Sequence, residues 1–527
     1  MMSEPSKHNY TLPVLLAAFL CVGLAVGHFM GKPKSYSVGG NSEVKKLEDI
    51  LNLLDDRYVD RVNKDSIFEA TISEMLHKLD PHSNYIPARD MKALNESIEA
   101  KFGGVGIRFF ILRDTIRVSS VIENSPSSKI GILAGDKIVS INGKNVAGKK
   151  IKNDDVMSKL KGEPGTSVKV DINRNGKKIP FQIQRGIIPI STVTCAFMVD
   201  DKTGYILIDQ FSIPTAKEFR DAAKKLLSKG MTKLILDLRN NGGGVLTAAT
   251  DIADEFLEEG NVILKTKGRK AGEQVYRAKS GGLLEKMNVV VLINSGSASA
   301  SEILAGALQD NDRAYIVGRR SFGKGLVQED RQLRDGSNLR LTIARYYTPS
   351  GRCIQRPYKG NYEDYIKDED RYDSGEMFQL DTSSYGKKEK FKTKGGRIVY
   401  GGGGITPDVF VPFDTSGSSL YMSALRWTGA INAFAFDYAS KNRKTWTSPD
   451  NYLQSFKVDD KLLKELTNYA EKFFEVPLNL TDFNTSKSLL QTILKAEIAR
   501  QLWTEEGFYK VYNNYDEEFK AAVKKLK

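Results

Sequence analysis

The pattern of apolar and polar positions changes character four times along the chain, and each change predicts a different kind of element. Thr11 to Met30 (TLPVLLAAFLCVGLAVGHFM) is a run of 20 residues with no formal charge apart from His28, long enough to cross a bilayer core as a helix. Between 41 and 100, Val44, Leu47, Leu51, Leu54 and Tyr58 recur at helical spacing, and Ile67 to Leu79 continues in that style. A short helical module closed by Asp80-Pro81 is expected there. From Lys101 to Ile187 the period shortens to alternating strands broken by turn residues, as in Asp136-Lys-Ile-Val-Ser-Ile-Asn-Gly143. Residues 188 to 415 alternate strand and helix. Gly204 to Phe211 and Lys233 to Arg239 read as strands around an amphipathic Lys217 to Lys229, and Leu246 to Glu258 as a helix. Val289-Val-Val-Leu-Ile293 is too apolar for a one-sided strand, so both faces should be covered; Ala314 to Val317 is another strand. This is an α/β layer, with sites expected at strand ends. Segment 358–400 is charged and Gly-rich and reads as an exposed insertion. Beyond 416, Leu489, Leu490, Ile493, Leu494, Ile498 and Leu502 form a helical stripe that Tyr509, Tyr512, Tyr515 and Phe519 extend.

Composition narrows the class. At about 150 residues per domain, 527 residues suggest three or four units. With 40% apolar residues, 45 Gly and 16 Pro, the chain is neither disordered nor collagenous. A net charge of +13 is modest over this length, and no dense Lys/Arg block with interleaved aromatics marks a nucleic-acid partner. Cys21, Cys195 and Cys353 are too few for a disulfide framework or zinc cage; one Cys195–Cys353 bridge is the sole option, and it is not expected. His77 and His82 bracket the Asp80-Pro81 turn at a spacing that fits no helix face, which argues against a metal. The apolar N-terminal run reads as a signal-anchor that places the remainder outside the cytoplasm. Ala25-Val26-Gly27 is a weak cleavage site, Phe19 and Leu20 disfavour lipid attachment at Cys21, and Lys7, Lys32 and Lys34 do not settle orientation.

Three loops follow three buried strands, and each holds one kind of catalytic part. Asn294-Ser-Gly-Ser-Ala-Ser-Ala-Ser-Glu302 puts serines on a strand-to-helix turn, where a hydroxyl is exposed near a positive helix end. Ser299-x-x-Glu302 also fits a plain capping box. All four histidines (His8, His28, His77, His82) precede the α/β unit, so a Ser-His-Asp triad housed within it is excluded. A neutral lysine is the remaining base, and Lys324 of Ser321-Phe-Gly-Lys-Gly325 is the candidate, its pKa to be depressed by partial burial beside Phe322 and by Arg319 or Arg320, though a flexible surface lysine fits too. Asn241-Gly-Gly-Gly244 leaves backbone N–H groups accessible to an oxyanion at a helix start, though an ordinary glycine turn fits too.

Two resemblances follow from these strings. Phe102-Gly-Gly-Val-Gly-Ile107, Ser125-Pro126, Gly131-Ile-Leu-Ala-Gly-Asp136 and Ile141-Asn-Gly143 resemble a PDZ domain of the bacterial protease type. That implies a loop at Gly104, Val105 and Gly106 whose N–H groups receive a peptide carboxylate. Asp237-Leu-Arg-Asn-Asn-Gly-Gly-Gly244, Ser297-Ala-Ser-Ala-Ser-Glu302, Phe322-Gly-Lys-Gly325 with Gln328, Tyr346-Tyr-Thr-Pro-Ser-Gly351 and Gly401-Gly-Gly-Gly-Ile-Thr-Pro-Asp408 resemble the C-terminal processing peptidases, or tail-specific proteases. The resemblance implies Ser299 as nucleophile, Lys324 as general base, Gln328 as its orienting partner, and Gly244 and Ala300 as oxyanion donors. The 25-residue separation of Ser299 and Lys324 matches that family.

The expected fold is multidomain α/β: an N-terminal membrane segment (1–40), a helical module (41–100), a PDZ domain (101–187), a ClpP/crotonase-like serine peptidase core (188–415) and a helical C-terminal extension (416–527). The expected function is a serine endopeptidase, needing no metal or cofactor, that cleaves the C-terminal region of proteins in a bacterial cell envelope. Its partners would be protein substrates with apolar tails and, through the N-terminal helix, the membrane; a homo-oligomer is open and nucleic acid is not expected. An inactive PDZ peptide-binding scaffold and an acyl-CoA enzyme of a related α/β fold are the alternatives.

Overall fold

The computed structural model describes residues 42–367, 369–379 and 389–527. The apolar run Thr11–Met30 lies outside them, and among the described residues no helix is long and apolar enough to cross a membrane. The chain divides into two units, 1–74 and 75–527. The first contains the helix Ser42–Arg57, whose Glu43 and Arg57 complement the helix dipole, and most of the helix Lys64–His77.

Within the second unit, the alternating region forms a six-stranded antiparallel sheet. Its order is Ile107–Ile111, Ile116–Val121, Lys137–Ile141, Ser167–Arg174, Lys177–Gln184, with Lys144–Asn145 beside the third strand. Inward-facing Ile116, Val118, Ile138, Ile172 and Val168 pack against Val156 and Leu160 of the helix Asn153–Leu160. Ile107–Ile111 and Lys177–Gln184 are the sheet's edge strands. A cavity of about 760 Å³ lies along the former, lined by Ile107, Phe109, Ile111, Ile151 and Met157. The adjoining hairpin meets the C-terminal helices: Phe110 stacks edge-on against Phe436 with centroids 4.5 Å apart, and Arg113 pairs with Asp437 at 2.8 Å.

The central sheet has the order Val193–Met198, Thr203–Ile208, Lys233–Asp237, Asn288–Ile293, Ala314–Gly318, Val409–Phe410. The first pair is antiparallel and the others are parallel. One face packs Ile206, Leu234, Leu236, Val289 and Val291 against the helices Thr215–Leu227, Leu246–Asp254 and Ala300–Asp310. The other face packs Tyr205, Ile235, Val290 and Leu292 against Phe519, Ala522 and Leu526 of the last helix, Glu517–Leu526. The apolar run Val289–Ile293 is therefore covered on both sides, as its composition required. A second sheet joins Asn84–Ile86, Asn338–Tyr347, Val262–Gly268 and Gly272–Arg277, with Leu326–Gln332 also pairing with Asn338–Tyr347.

Three expectations change. The region 41–100 is not purely helical, because Asn84–Ile86 joins the second sheet antiparallel to Asn338–Tyr347. Segment 358–400 is not simply an exposed insertion: Tyr365 and Arg371 are buried, and Arg371 donates to the carbonyls of Arg320 and Ser321. The C-terminal stripe is also interrupted. The helix Leu480–Tyr512 breaks its helical geometry at Trp503 and Thr504, and Phe519 belongs to the separate helix that covers the central sheet.

Candidate active site

Three parallel strands that are neighbours in the central sheet, Lys233–Asp237, Asn288–Ile293 and Ala314–Gly318, end at the same edge. Neighbouring strands lie about 4.8 Å apart, so the loops that leave them meet. Backbone bonds join them directly: Ala298 N–H donates to Asn241 O at 3.0 Å and Phe322 N–H to Ser297 O at 2.9 Å.

The serine loop distinguishes its three serines by environment. Ser297 and Ser301 are fully buried, and their hydroxyls donate to Leu238 O and Asn241 O, both at 2.8 Å. They staple the serine turn to the glycine loop. Ser299, between them, is half-buried and lines a cavity of about 460 Å³. Its backbone has φ 54° and ψ −112° at the N-cap of Ala300–Asp310, a conformation costing about 1–3 kcal/mol that recurs at nucleophile turns.

Gly244 lines the same cavity. Phe211 N–H donates to Gly243 O (2.9 Å) and Val245 N–H to Phe211 O (2.8 Å), a parallel bridge that turns the N–H of Gly244 itself away from Phe211. Its φ is +140°, and a Cβ there would lie 1.9 Å from Phe211 O, so only glycine fits. Ala300, first residue of its helix, has an N–H without an intrahelical acceptor. The two loops touch at Gly243, where a Cβ would stand 2.8 Å from Ser299 Cβ and 2.9 Å from Ala300 N.

Lys324 and Gln328 also line the cavity, and Lys324 Nζ donates to Gln328 Oε1 at 3.0 Å. A bulge between Val327 and Gln328 shifts the strand register where Gln328 departs toward the lysine. Burial first, then the Arg340 guanidinium, holds the Lys324 amine below the usual lysine range, against the opposing pull of Glu302 and Asp80. The neighbouring cation is thus Arg340 from the facing strand. Arg340 is itself paired with Asp330 at 2.8 Å; Arg319 and Arg320, the sequence candidates, pair with Glu518 at 2.7 Å and Glu376 at 2.5 Å and are not among the groups that shift Lys324.

Two parts of the site were not singled out from sequence. Glu302, legible only as a capping residue, is buried and accepts four hydrogen bonds. Ser321 Oγ (2.5 Å) and Gly323 N–H (2.7 Å) donate to Oε1, Ser299 N–H (2.8 Å) and Lys324 N–H (2.9 Å) to Oε2. One carboxylate therefore sets the spacing of the serine and lysine loops. Burial pushes its pKa up to about 7 in spite of those four donors. The second part is the turn Asp80–Ser83. Asp80 accepts from the N–H groups of His82 and Ser83 at 2.8 Å and from Thr342 Oγ1 at 3.0 Å, and the His82 carbonyl receives Gln328 Nε2. The His82 imidazole lies 3.0 Å from the Tyr365 hydroxyl, and burial together with the Lys324 charge holds its pKa down to about 3. Among the described residues, no group of His, Cys, Asp and Glu could hold a metal ion.

The candidate PDZ loop is separate from this cavity. Gly104, Val105 and Gly106 are buried just before the edge strand Ile107–Ile111. The Val105 carbonyl accepts from Ser127 N–H at 3.0 Å. At Gly106, with φ +80°, a Cβ would collide with Ser125 Cβ at 2.2 Å.

Comparison with known proteins gives the family. Residues 202–365 match peptidase family S41, 103–184 match the PDZ domain, and 421–504 match a family of unknown function. The chain is 40% identical over 320 residues to the carboxy-terminal-processing protease of Bartonella bacilliformis, covering 59% of this chain and 73% of that protein. It is 33% identical over 335 residues to a probable CtpA-like serine protease of Staphylococcus aureus, covering 63% of this chain and 66% of that one. Among solved structures, the photosystem II D1 C-terminal processing protease aligns at 26% identity with a TM-score of 0.36, over 71% of this chain and 94% of that chain.

Proposed function

Since the chain belongs to peptidase family S41, with carboxy-terminal-processing proteases among its relatives, and is therefore a serine-type peptidase, we propose that it cuts protein tails with a Ser299–Lys324 dyad. The observation that carries this reading is the meeting of Ser299, Lys324, Gln328 and Gly244 around one 460 Å³ cavity. A neutral amine that donates one N–H to Gln328 Oε1 keeps its lone pair for the serine proton. Lys324 takes that proton as Ser299 Oγ attacks the substrate carbonyl, and the N–H groups of Gly244 and Ala300 hold the oxyanion. The C–N bond then breaks, the lysine ammonium protonates the leaving amine, and a water deprotonated by Lys324 hydrolyses the ester. Gln328 keeps the amine aimed, and the His82 carbonyl keeps Gln328 aimed.

Recognition is assigned to the PDZ region. An apolar tail would add as a strand beside Ile107–Ile111, with its carboxylate at the N–H groups of the Gly104–Gly106 loop. The unfilled edge of that strand and the adjoining 760 Å³ cavity support this. We further read Thr11–Met30 as a membrane anchor, the substrates as bacterial envelope proteins and the core as ClpP/crotonase-like. The test is mass spectrometry of a tail-bearing protein incubated with the full chain. New C-termini should appear with the wild type and be absent with Ser299→Ala; equal products from both would refute the assignment.

A further inference from the structure

Leu326 lines the catalytic cavity and also a second cavity of about 660 Å³. The floor of the second cavity is the antiparallel pair Val262–Gly268 and Asn338–Tyr347. Along the latter strand Ala344 and Tyr346 turn into the core, so Ile343, Arg345 and Tyr347 turn outward. Lys267 stands directly opposite Arg345 in the register, and Arg269 follows two residues on. Like charges directly opposite one another destabilise an antiparallel pair. Among the described residues none of these three cations is held in an ion pair, and Glu273, which faces Lys267 from the next strand, forms none with it. Asp80 is the carboxylate of the lining, and its oxygens are already taken by His82, Ser83 and Thr342. Leu79 and Pro81 add apolar wall. The result is an open cavity lined by four cations without an ion pair among the described residues, Arg356, which stacks on Phe322 and Tyr365, being the fourth, and it adjoins the nucleophile's cavity through one shared side chain.

We propose that this cavity is a substrate subsite that receives an acidic side chain, Asp or Glu, of the polypeptide being cut, with Lys267, Arg269 and Arg345 as its specificity-determining residues. The assignment rests on the peptidase reading above. A carboxylate arriving there relieves the Lys267–Arg345 repulsion and meets the planar donor fork of Arg345, while the stem of a Glu packs on the apolar wall. The same chemistry disfavours a basic segment next to the scissile bond.

The test uses three fluorescent peptides with one shared apolar, free-carboxylate tail and a run of Glu, Gln or Lys upstream. Binding is measured by anisotropy on the full-length Ser299→Ala protein, and kcat/KM on the active protein. The Glu peptide should exceed the Gln peptide about tenfold, with the Lys peptide weakest, and high salt should erase the difference. In a Lys267→Gln/Arg345→Gln variant the Glu:Gln ratio should fall close to one, and in Lys267→Glu/Arg345→Glu the Lys peptide should lead. The ratio is internal to each variant, so lost stability does not mimic it, and Lys229→Glu controls for surface charge. Equal binding of Glu and Gln peptides, or a ratio that survives the double substitution, overturns the proposal; so does capture of phosphatidylglycerol vesicles without a peptide preference. Cleavage without charge preference refutes the subsite alone, and a charge preference in binding without cleavage by the active protein refutes the peptidase reading and supports the subsite.

Discussion

Replacing Glu302 by Gln should separate catalysis from stability. The carboxylate receives Ser321 Oγ and Gly323 N–H on one oxygen, and Ser299 N–H and Lys324 N–H on the other. Gln keeps the shape but has one acceptor oxygen. It is best placed toward Ser299 and Lys324, with the amide NH₂ turned to Ser321, whose hydroxyl can rotate to accept. Gly323 N–H is then orphaned, at a cost of about 1–3 kcal/mol. Against this, a folded pKa of about 7 over a reference of 4.5 means that burying the charge costs roughly 3 kcal/mol at and above neutral pH. The two nearly cancel, so the variant should fold with near-wild-type stability at pH 7. Because the folded state holds this proton more tightly than the unfolded chain, wild-type stability should fall as pH rises from 4.5 toward 7, and the variant should lack that contribution. Catalysis should behave differently. Loosening the two loops should lower plateau kcat/KM about 10–100-fold. Removing the Glu302 charge also removes a force that raises the Lys324 pKa, so the acid limb of the pH–rate profile should move to lower pH. Thermal unfolding and kcat/KM from pH 5 to 10 check this. An acid limb that stays or moves up, or unchanged plateau activity, would refute the reasoning.

Ser299→Ala should abolish turnover with the fold intact, whereas Ser297→Ala and Ser301→Ala should each cost about 1–3 kcal/mol in thermal unfolding, since each removes a buried bond to the glycine loop. A dead but stable Ser297→Ala would reassign the nucleophile. For the wild type, kcat/KM should rise with pH through the depressed Lys324 value, and Lys324→Arg, which cannot deprotonate, should be as inactive as Lys324→Ala, while Gln328→Ala keeps partial activity. Amidating the substrate's terminal carboxylate should weaken capture by one to two orders of magnitude, read by anisotropy, because a charge-assisted bond is worth about 1.5–3 kcal/mol. His82, with a folded pKa of about 3 against 6.5 unfolded, should contribute stability that is lost as pH falls below 6.5, and urea titrations of His82→Asn should show a shallower acid decline.

The order of elements and the loops proposed as catalytic were legible in the sequence because their physics is local. A run such as Val289–Ile293 can only be a strand covered on both faces, and it is. The glycine run after Asn241 marks a backbone of close approach, and Gly243 and Gly244 have no room for a Cβ. Ser299 at a strand-to-helix turn and Lys324 on a Gly-flanked loop stood out by type and spacing, and both line one cavity. Ser299-x-x-Glu302, by contrast, looks the same whether Glu302 caps a helix or holds two loops together; only the approach of Ser321–Lys324 to the Glu302 carboxylate decides between them. The cation that burdens Lys324 is Arg340, brought close by the pairing of Leu326–Gln332 with Asn338–Tyr347 though itself paired with Asp330, and not the sequence neighbours Arg319 and Arg320, which pair with acids from other segments. Asp80-Pro81-His82 announces a stop, and its grip on Gln328 exists only because Asn84–Ile86 pairs with Asn338–Tyr347. Sequence determines what each stretch of backbone can be and which side chains can react. Which charges face one another, and so which groups change their pKa, is decided by contacts between segments far apart in the chain, which no local pattern encodes.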